Sequence, residues 1–175
     1  FAAIGISAMM HGYLVFDKAM SQLAPFRTWR STNAAKAGAE LSAAFDFNVP
    51  IRWSVAQLHQ SVLDGEPHVR EIAFQTTLAG YIHFLLTGWK VLGIDDASGM
   101  FPVNASTHAY DARMAKAYAD FAPDIAEVLD EVSASANVAA TLKKGDLSFV
   151  ATNALKVLAP RLAQCVIDLD NTFLV

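Results

Sequence analysis

Apolar and polar positions change period several times along this chain, and each change marks an element. Residues 13–16 are a continuous apolar run, Tyr13-Leu14-Val15-Phe16, closed by the polar pair Asp17-Lys18. A short run of this kind bounded by turn residues predicts a buried strand. Residues 4–7 read the same way, with Gly12 offering the turn between the two runs, and residues 26–29 read as a third strand. Together they predict the edge of a small antiparallel sheet. The period then lengthens. Ala37, Leu41 and Ala44 with Phe45 share one face of a helix that runs from a Ser31 or Thr32 cap to about residue 45. Ser54 with Gln57 makes a capping box, Trp53 can staple onto Leu58, and Val55, Leu58, Val62 and Leu63 form a stripe that ends at Gly65. Pro67 suits the first position of a third helix, predicted to run to about residue 74. Thr76 or Thr77 starts a fourth, with Leu78, Tyr81, Ile82, Leu85 and Leu86 expected inward and Gly88 after it.

Beyond that helix the signals are shorter. Residues 89–93 read as extended, and Asp95 or Asp96 as the cap of a tight turn over residues 97–100. Helices are predicted over residues 110–121, from Pro123 onward with Ile125, Val128, Leu129 and Val132 as a core face, and over residues 148–158 up to Pro160. Residues 133–140 are Ser-, Ala- and Asn-rich with weak periodicity and read as a joint, and residues 165–169 are strand-like.

Composition narrows the class. A chain of 175 residues is long enough for one domain with a real core. Hydrophobic residues are 54% and charged residues only 17%, so the chain either buries an unusual share of itself or packs against something else. The net charge of −4, with no basic stripe, argues against nonspecific nucleic-acid binding. The single cysteine, Cys165, excludes an internal disulfide and a multi-cysteine metal site, and it fits a reducing, cytoplasmic compartment. No apolar run reaches the roughly 18 residues of a membrane span; residues 76–86 come nearest and contain His83. Phe1-Ala2-Ala3 lacks the positive stretch of a signal peptide, and an opening on Phe rather than Met reads as a piece of a longer protein.

Candidate chemistry sits at the strand ends. His11 follows an apolar run and precedes Gly12, and Trp29-Arg30 closes the third predicted strand. An imidazole bonds hydroxyls, a guanidinium donates in a planar fork, and an indole packs on C–H faces, so the three suit a small polyhydroxylated ligand. The plainer alternatives are a histidine satisfied by a backbone carbonyl and an amphipathic edge strand. His59, His68, His83 and His108 show no metal-ligand spacing. Near the end, Asp168-Leu169-Asp170-Asn171-Thr172 resembles the first motif of the haloacid-dehalogenase phosphatases, in which Asp168 would be the nucleophile and Asp170 the acid/base beside Mg²⁺. Only Phe173-Leu174-Val175 follow, which leaves no room for the later motifs of that family.

Several ordered segments carry a wider resemblance. Ser7-Ala8-Met9-Met10-His11-Gly12-Tyr13, Thr28-Trp29-Arg30, Ile51-Arg52-Trp53-Ser54, Thr76-Thr77-Leu78-Ala79-Gly80-Tyr81, Leu85-Leu86-Thr87-Gly88 and Ala97-Ser98-Gly99-Met100-Phe101-Pro102 look like the first domain of the FGGY-family carbohydrate kinases, nearest to the xylulokinase-like pentulose kinases. The resemblance implies an α/β, actin-like ATPase (ribonuclease H-like) domain, helix-rich with a small mixed sheet and incomplete. Residues 1–133 would be its sugar-binding part, and residues 134–175 the poorly matched, discontinuous remainder. It implies transfer of the ATP γ-phosphoryl group to a hydroxyl of a ketose or polyol, with Mg²⁺. Met10, His11, Trp29 and Arg30 would hold the sugar, and Asp146 of Gly145-Asp146 would be the base. The implied partners are the sugar and a second, ATP-binding domain of the same protein, with a homodimer as a further assembly and no nucleic acid or membrane. The family's phosphate loop and adenosine-binding domain are not in this sequence, and Leu147-Ser148-Phe149 stands where small, Gly-rich residues are expected. A catalytically inactive sugar-binding module is therefore the second expectation.

Overall fold

A computed structural model of the chain describes residues 8–88, 90 and 92–121. The expectations for residues 1–7, 89, 91 and 122–175 lie outside the described residues; these include the first strand and Asp146, Asp168 and Asp170.

The apolar run at residues 13–16 is a buried strand, β1 (Leu14–Phe16). It pairs antiparallel with β2 (Phe74–Thr76), Leu14 opposite Thr76 and Phe16 opposite Phe74. Successive side chains of a strand point to opposite faces, and both faces of β1 are covered. Tyr13 and Val15 enter the main core with Leu41, Phe45, Val55 and Leu58. Leu14 and Phe16 enter a second cluster with Phe74, where Tyr81 stacks on Phe16 at 4.7 Å. Double burial is why this strand is apolar without alternation. The third predicted strand is reduced to an isolated antiparallel bridge between Tyr13 and Arg27. Asp17 closes β1 by accepting from the Ala19 and Ser21 amides, both at 2.8 Å.

Helix α1 (Ala35–Phe45) buries Ala37, Leu41 and Phe45 as the spacing predicts. Neither Ser31 nor Thr32 caps it. The helix starts after Ala34, and the Ala37 amide is met instead by Gln60 Oε1 at 3.2 Å, a side chain from the next helix. That helix, α2 (Ser54–Leu63), is buried from Ser54 to Ser61, polar residues included. Its predicted capping box does not form. The Ser54 and Val55 amides donate to the carbonyls of Gly99 and Met100, and Gln57 Nε2 donates to the Ile51 carbonyl at 2.8 Å. Distant carbonyls have taken the amides a local cap would have served.

The helix predicted from Pro67 is a single 3₁₀ segment, Pro67–Glu71. Its expected end, Phe74, is in β2, because a ladder to β1 removes those residues from the helix. Helix α3 (Leu78–Thr87) is capped by Thr77, whose hydroxyl accepts from the Gly80 amide at 3.0 Å, and ends at Gly88 with φ +74°. Its inward face differs from the expected one. Ala79 and His83 are buried, whereas Leu85 and Leu86 are 62% and 59% exposed. A helix apolar on every side offers no stripe by which to choose, and the small residues Ala79 and Gly80 permit the closest approach. A Cβ on Gly80 would fall on the Thr76 hydroxyl and 2.5 Å from Leu92 Cδ2.

Helix α4 (Ile94–Ser98) includes Asp95 and Asp96 in its first turn, so neither is its cap. A hairpin not anticipated from sequence follows, β3 (Val103–Asn104) with β4 (Ala109–Tyr110), its turn held by Asn104 Oδ1 accepting from the Ser106 and Thr107 amides. Helix α5 (Ala112–Phe121) starts two residues later than expected, with Asp111 Oδ1 accepting from the Met114 amide. Its Tyr118 lies against Phe45, Phe101 and His59. The described residues are thus mixed α/β, helix-rich, with two antiparallel strand pairs where a small mixed sheet is expected. Among them no helix is long and apolar enough to cross a membrane.

Candidate functional site

The loop before β1 carries the first site residues. Gly12 has φ +110° and lies against the Arg27 carbonyl, closer than any Cβ could come. Its amide donates to the Arg52 carbonyl at 3.2 Å, and Tyr13 exchanges backbone bonds with Arg27 at 2.8 and 3.2 Å. One glycine thus ties residues 8–13 to the segment carrying Trp29 and to the one preceding α2. The Trp29 amide in turn meets Met9 Sδ at 3.4 Å.

His11 is half-buried, and its Nδ1 bonds the Gly99 carbonyl at 3.2 Å, across 88 residues of chain. A carbonyl only accepts, so Nδ1 carries the hydrogen and Nε2 of the neutral ring is an acceptor. Burial lowers the His11 pKa below its ordinary 6.5; the Gly99 bond opposes this and the Arg52 charge adds to it. The neutral form therefore holds at neutral pH. Gly99 is also where two segments meet most closely. A Cβ there would lie 2.6 Å from His11 Nδ1 and 2.7 Å from the Met10 carbonyl oxygen. The plain reading of His11, an imidazole satisfied by a carbonyl, is realised at Nδ1, while Nε2 is not part of that bond.

Trp29 is 49% exposed, and the Arg30 guanidinium lies over its ring, 5.4 Å from the centroid. This is cation–π geometry, and it leaves an indole and a fork of donors together at the surface. The structure therefore brings the Met10-His11 segment onto Gly99 and lays the Trp29 backbone against Met9. These contacts join three of the segments singled out from sequence. Asp146 lies outside the described residues.

Two features were not legible in the sequence. The first is a polar network around Arg27, beside a groove of about 410 Å³ lined by Ser61, Val62, Gly65, Glu66, Pro67, Val69 and Arg70. Arg27 donates to Ser61 Oγ at 2.8 Å and to both Glu66 oxygens at 2.7 and 2.5 Å, with its guanidinium over the Tyr13 ring. His68 Nε2 meets the Tyr13 hydroxyl at 2.9 Å. Burial raises the Tyr13 pKa to about 12, so this hydroxyl stays protonated and serves as a hydrogen-bonding group. None of Met10, His11, Trp29 and Arg30 lines this groove.

The second is Asp96, 2% exposed. Its carboxyl lies close to the side chain of Thr77, the cap of α3, and Oδ1 has no hydrogen-bond partner. Burial raises its pKa from 3.8 to about 7; the nearby Thr77 hydroxyl works against the rise and the neighbouring Asp95 charge adds to it. Sequence marks Asp96 and Thr77 separately as caps, and no local signal says that they meet. Among the described residues no group of three or more His, Cys, Asp or Glu side chains is placed to hold a metal ion. No protein-family model, curated protein or solved structure matches this chain.

Proposed function

We propose that this chain supplies the sugar-binding wall of an FGGY-family carbohydrate kinase of the xylulokinase-like kind, in an actin-like domain that closes on a second, nucleotide-binding domain. The observation that carries the reading is the bond between His11 Nδ1 and the Gly99 carbonyl. It joins two of the segments that carry the resemblance, 7–13 and 97–102, which are far apart in sequence. In this reading His11 Nε2 accepts a hydrogen bond from a sugar hydroxyl. The Trp29 indole packs on sugar C–H groups, Arg30 donates to hydroxyl oxygens, and Met10 fills the apolar side. Fixing the tautomer in advance lets the ring meet the ligand without reorganising. ATP and Mg²⁺ belong to the partner domain. Asp146 would take the hydroxyl proton while the new bond from the sugar oxygen to the γ-phosphorus forms and the bond from phosphorus to the β,γ-bridging oxygen breaks.

The test is calorimetry of the chain with D-xylulose and D-ribulose. Weak binding of at least one is expected, reduced about tenfold by His11→Leu, the size of one lost hydrogen bond. Because Nε2 must accept, affinity should be flat above pH 6.5 and fall below it, as the ring protonates through its lowered pKa. Absence of binding by either sugar, or equal binding by His11→Leu, overturns the reading. Sugar binding in the full-length parent with no sugar-dependent ATP turnover would identify the inactive module instead.

A further inference from the structure

We propose that the groove at the end of α2 binds a small organic acid, an apolar body carrying one carboxylate, and that Arg70 holds the carboxylate. The site is separate from the sugar wall described above, since neither His11 nor Trp29 lines it, and it stands whether or not a pentulose binds.

The groove has the size and make-up of a small-molecule site. Its volume of about 410 Å³ lies within the roughly 300–1,000 Å³ of such pockets. Its walls are mainly apolar, with Val62 from α2 and Pro67 and Val69 from the 3₁₀ segment. Gly65 joins these two elements. A Cβ there would meet nothing within 4 Å, so bare backbone leaves this stretch of the wall open. An apolar body can lie along it and leave water.

The polar groups then select the charge. Ser61 Oγ accepts from Arg27 at 2.8 Å and donates to the Gln57 carbonyl at 3.1 Å, so its hydroxyl is committed. Glu66 takes Arg27 on both oxygens, at 2.7 and 2.5 Å, and the pair is neutral. A helix C-terminus favours cations, but at the end of α2 the carbonyls of Gln60, Ser61 and Val62 already accept from the Asp64, Glu66 and Gly65 amides. Arg70 is different. It lines the groove, it is exposed, and it has no hydrogen bond or ion pair among the described residues. A guanidinium is a planar fork that fits the two oxygens of a carboxylate. One free positive charge beside a neutral pair matches a monoanion. A dianionic phosphate would set its second charge against Glu66.

The test titrates the full ¹⁵N-labelled chain with hexanoate, and separately with hexan-1-ol, acetate and inorganic phosphate, each of which offers only part of the ligand. Hexanoate should shift the backbone amides of Gly65, Glu66 and Arg70 saturably and bind about tenfold more tightly than any of the other three, the size of one charge-assisted hydrogen bond or of a buried alkyl chain. Arg70→Gln, at an exposed position that leaves the fold intact, should weaken hexanoate about tenfold and leave hexan-1-ol unchanged. Val62→Thr keeps the shape of the wall and makes it polar; it should weaken hexanoate and leave acetate unchanged. Hexan-1-ol binding as well as hexanoate would mean an apolar groove without anion recognition. Phosphate or acetate binding as well would mean an anion site without an apolar one. Either result overturns the proposal, as does hexanoate that shifts none of these amides or that binds Arg70→Gln like the wild type.

Discussion

Gly12→Ala is expected to destabilise the chain by about 3 kcal/mol or more and to abolish the candidate site with it. Two costs act at the same atom. A φ of +110° is a conformation that L side chains rarely adopt, and the new Cβ would fall on the Arg27 carbonyl, with Phe26 Cε2 3.1 Å away. Sparsely populated backbone costs about 1–3 kcal/mol and forced overpacking about as much again. The obstacle on one side is backbone, held in place by the reciprocal Tyr13–Arg27 bonds, so it cannot turn aside as a side chain would. Gly65→Ala is the control. Its φ of +64° is also positive, but nothing lies within 4 Å of a Cβ there, so only the backbone term of about 1 kcal/mol applies. Urea unfolding of the two variants measures the difference. Equal midpoints would mean that the close approach of Gly12 to Arg27 does not exist in solution.

The second large effect is a pH dependence of stability traceable to Asp96. Its pKa rises from 3.8 to about 7 on folding, so between those values the folded chain binds more protons than the unfolded one. The stability that protonated Asp96 supports is fully present below pH 3.8 and is lost as the pH rises towards 7; above that the deficit is constant. A shift of this size corresponds to an upper bound of about 4 kcal/mol. His11 and His59 slope the other way. Their pKa values fall on folding, so their contribution is present above 6.5 and lost as the pH drops through their lowered values. The comparison with Asp96→Asn isolates the carboxyl. The variant should gain on the wild type from pH 4 to pH 7 and hold a constant advantage above that. Unfolding midpoints at a series of pH values give the curve, and a gap that does not widen between pH 4 and 7 would show that Asp96 is ionised in the folded chain throughout.

The elements that the sequence foretold well share a cause. The apolar run of β1, the Ala37–Leu41–Phe45 face of α1, the Thr77 cap and the Gly88 stop each depend on residues within four or so positions of one another. The misjudged ones were settled by partners from elsewhere. Gln60 replaced Ser31 or Thr32 at the start of α1, the Gly99 and Met100 carbonyls displaced the capping box of α2, and β1 drew Phe74 into a strand. The exposed Leu85 and Leu86 show the same limit from the other side, because hydrophobicity on every face of α3 names no direction.

The candidate site divides in the same way. Met10, His11, Trp29 and Arg30 were legible as chemistry, since imidazole, indole and guanidinium groups at strand ends suggest a polyhydroxylated ligand whatever the fold. That His11 would rest on Gly99, that Arg27 would pair with Glu66 and that Asp96 would be buried near Thr77 were not implied by the sequence. Taken alone, the sequence determined where elements begin and bend and which side chains carry useful groups, because period, caps and turn glycines act over a few residues. Only the tertiary structure decided which donor meets which acceptor across the chain and which carboxyl is buried. Those outcomes depend on how whole elements pack, and packing is a property of surfaces assembled from distant residues.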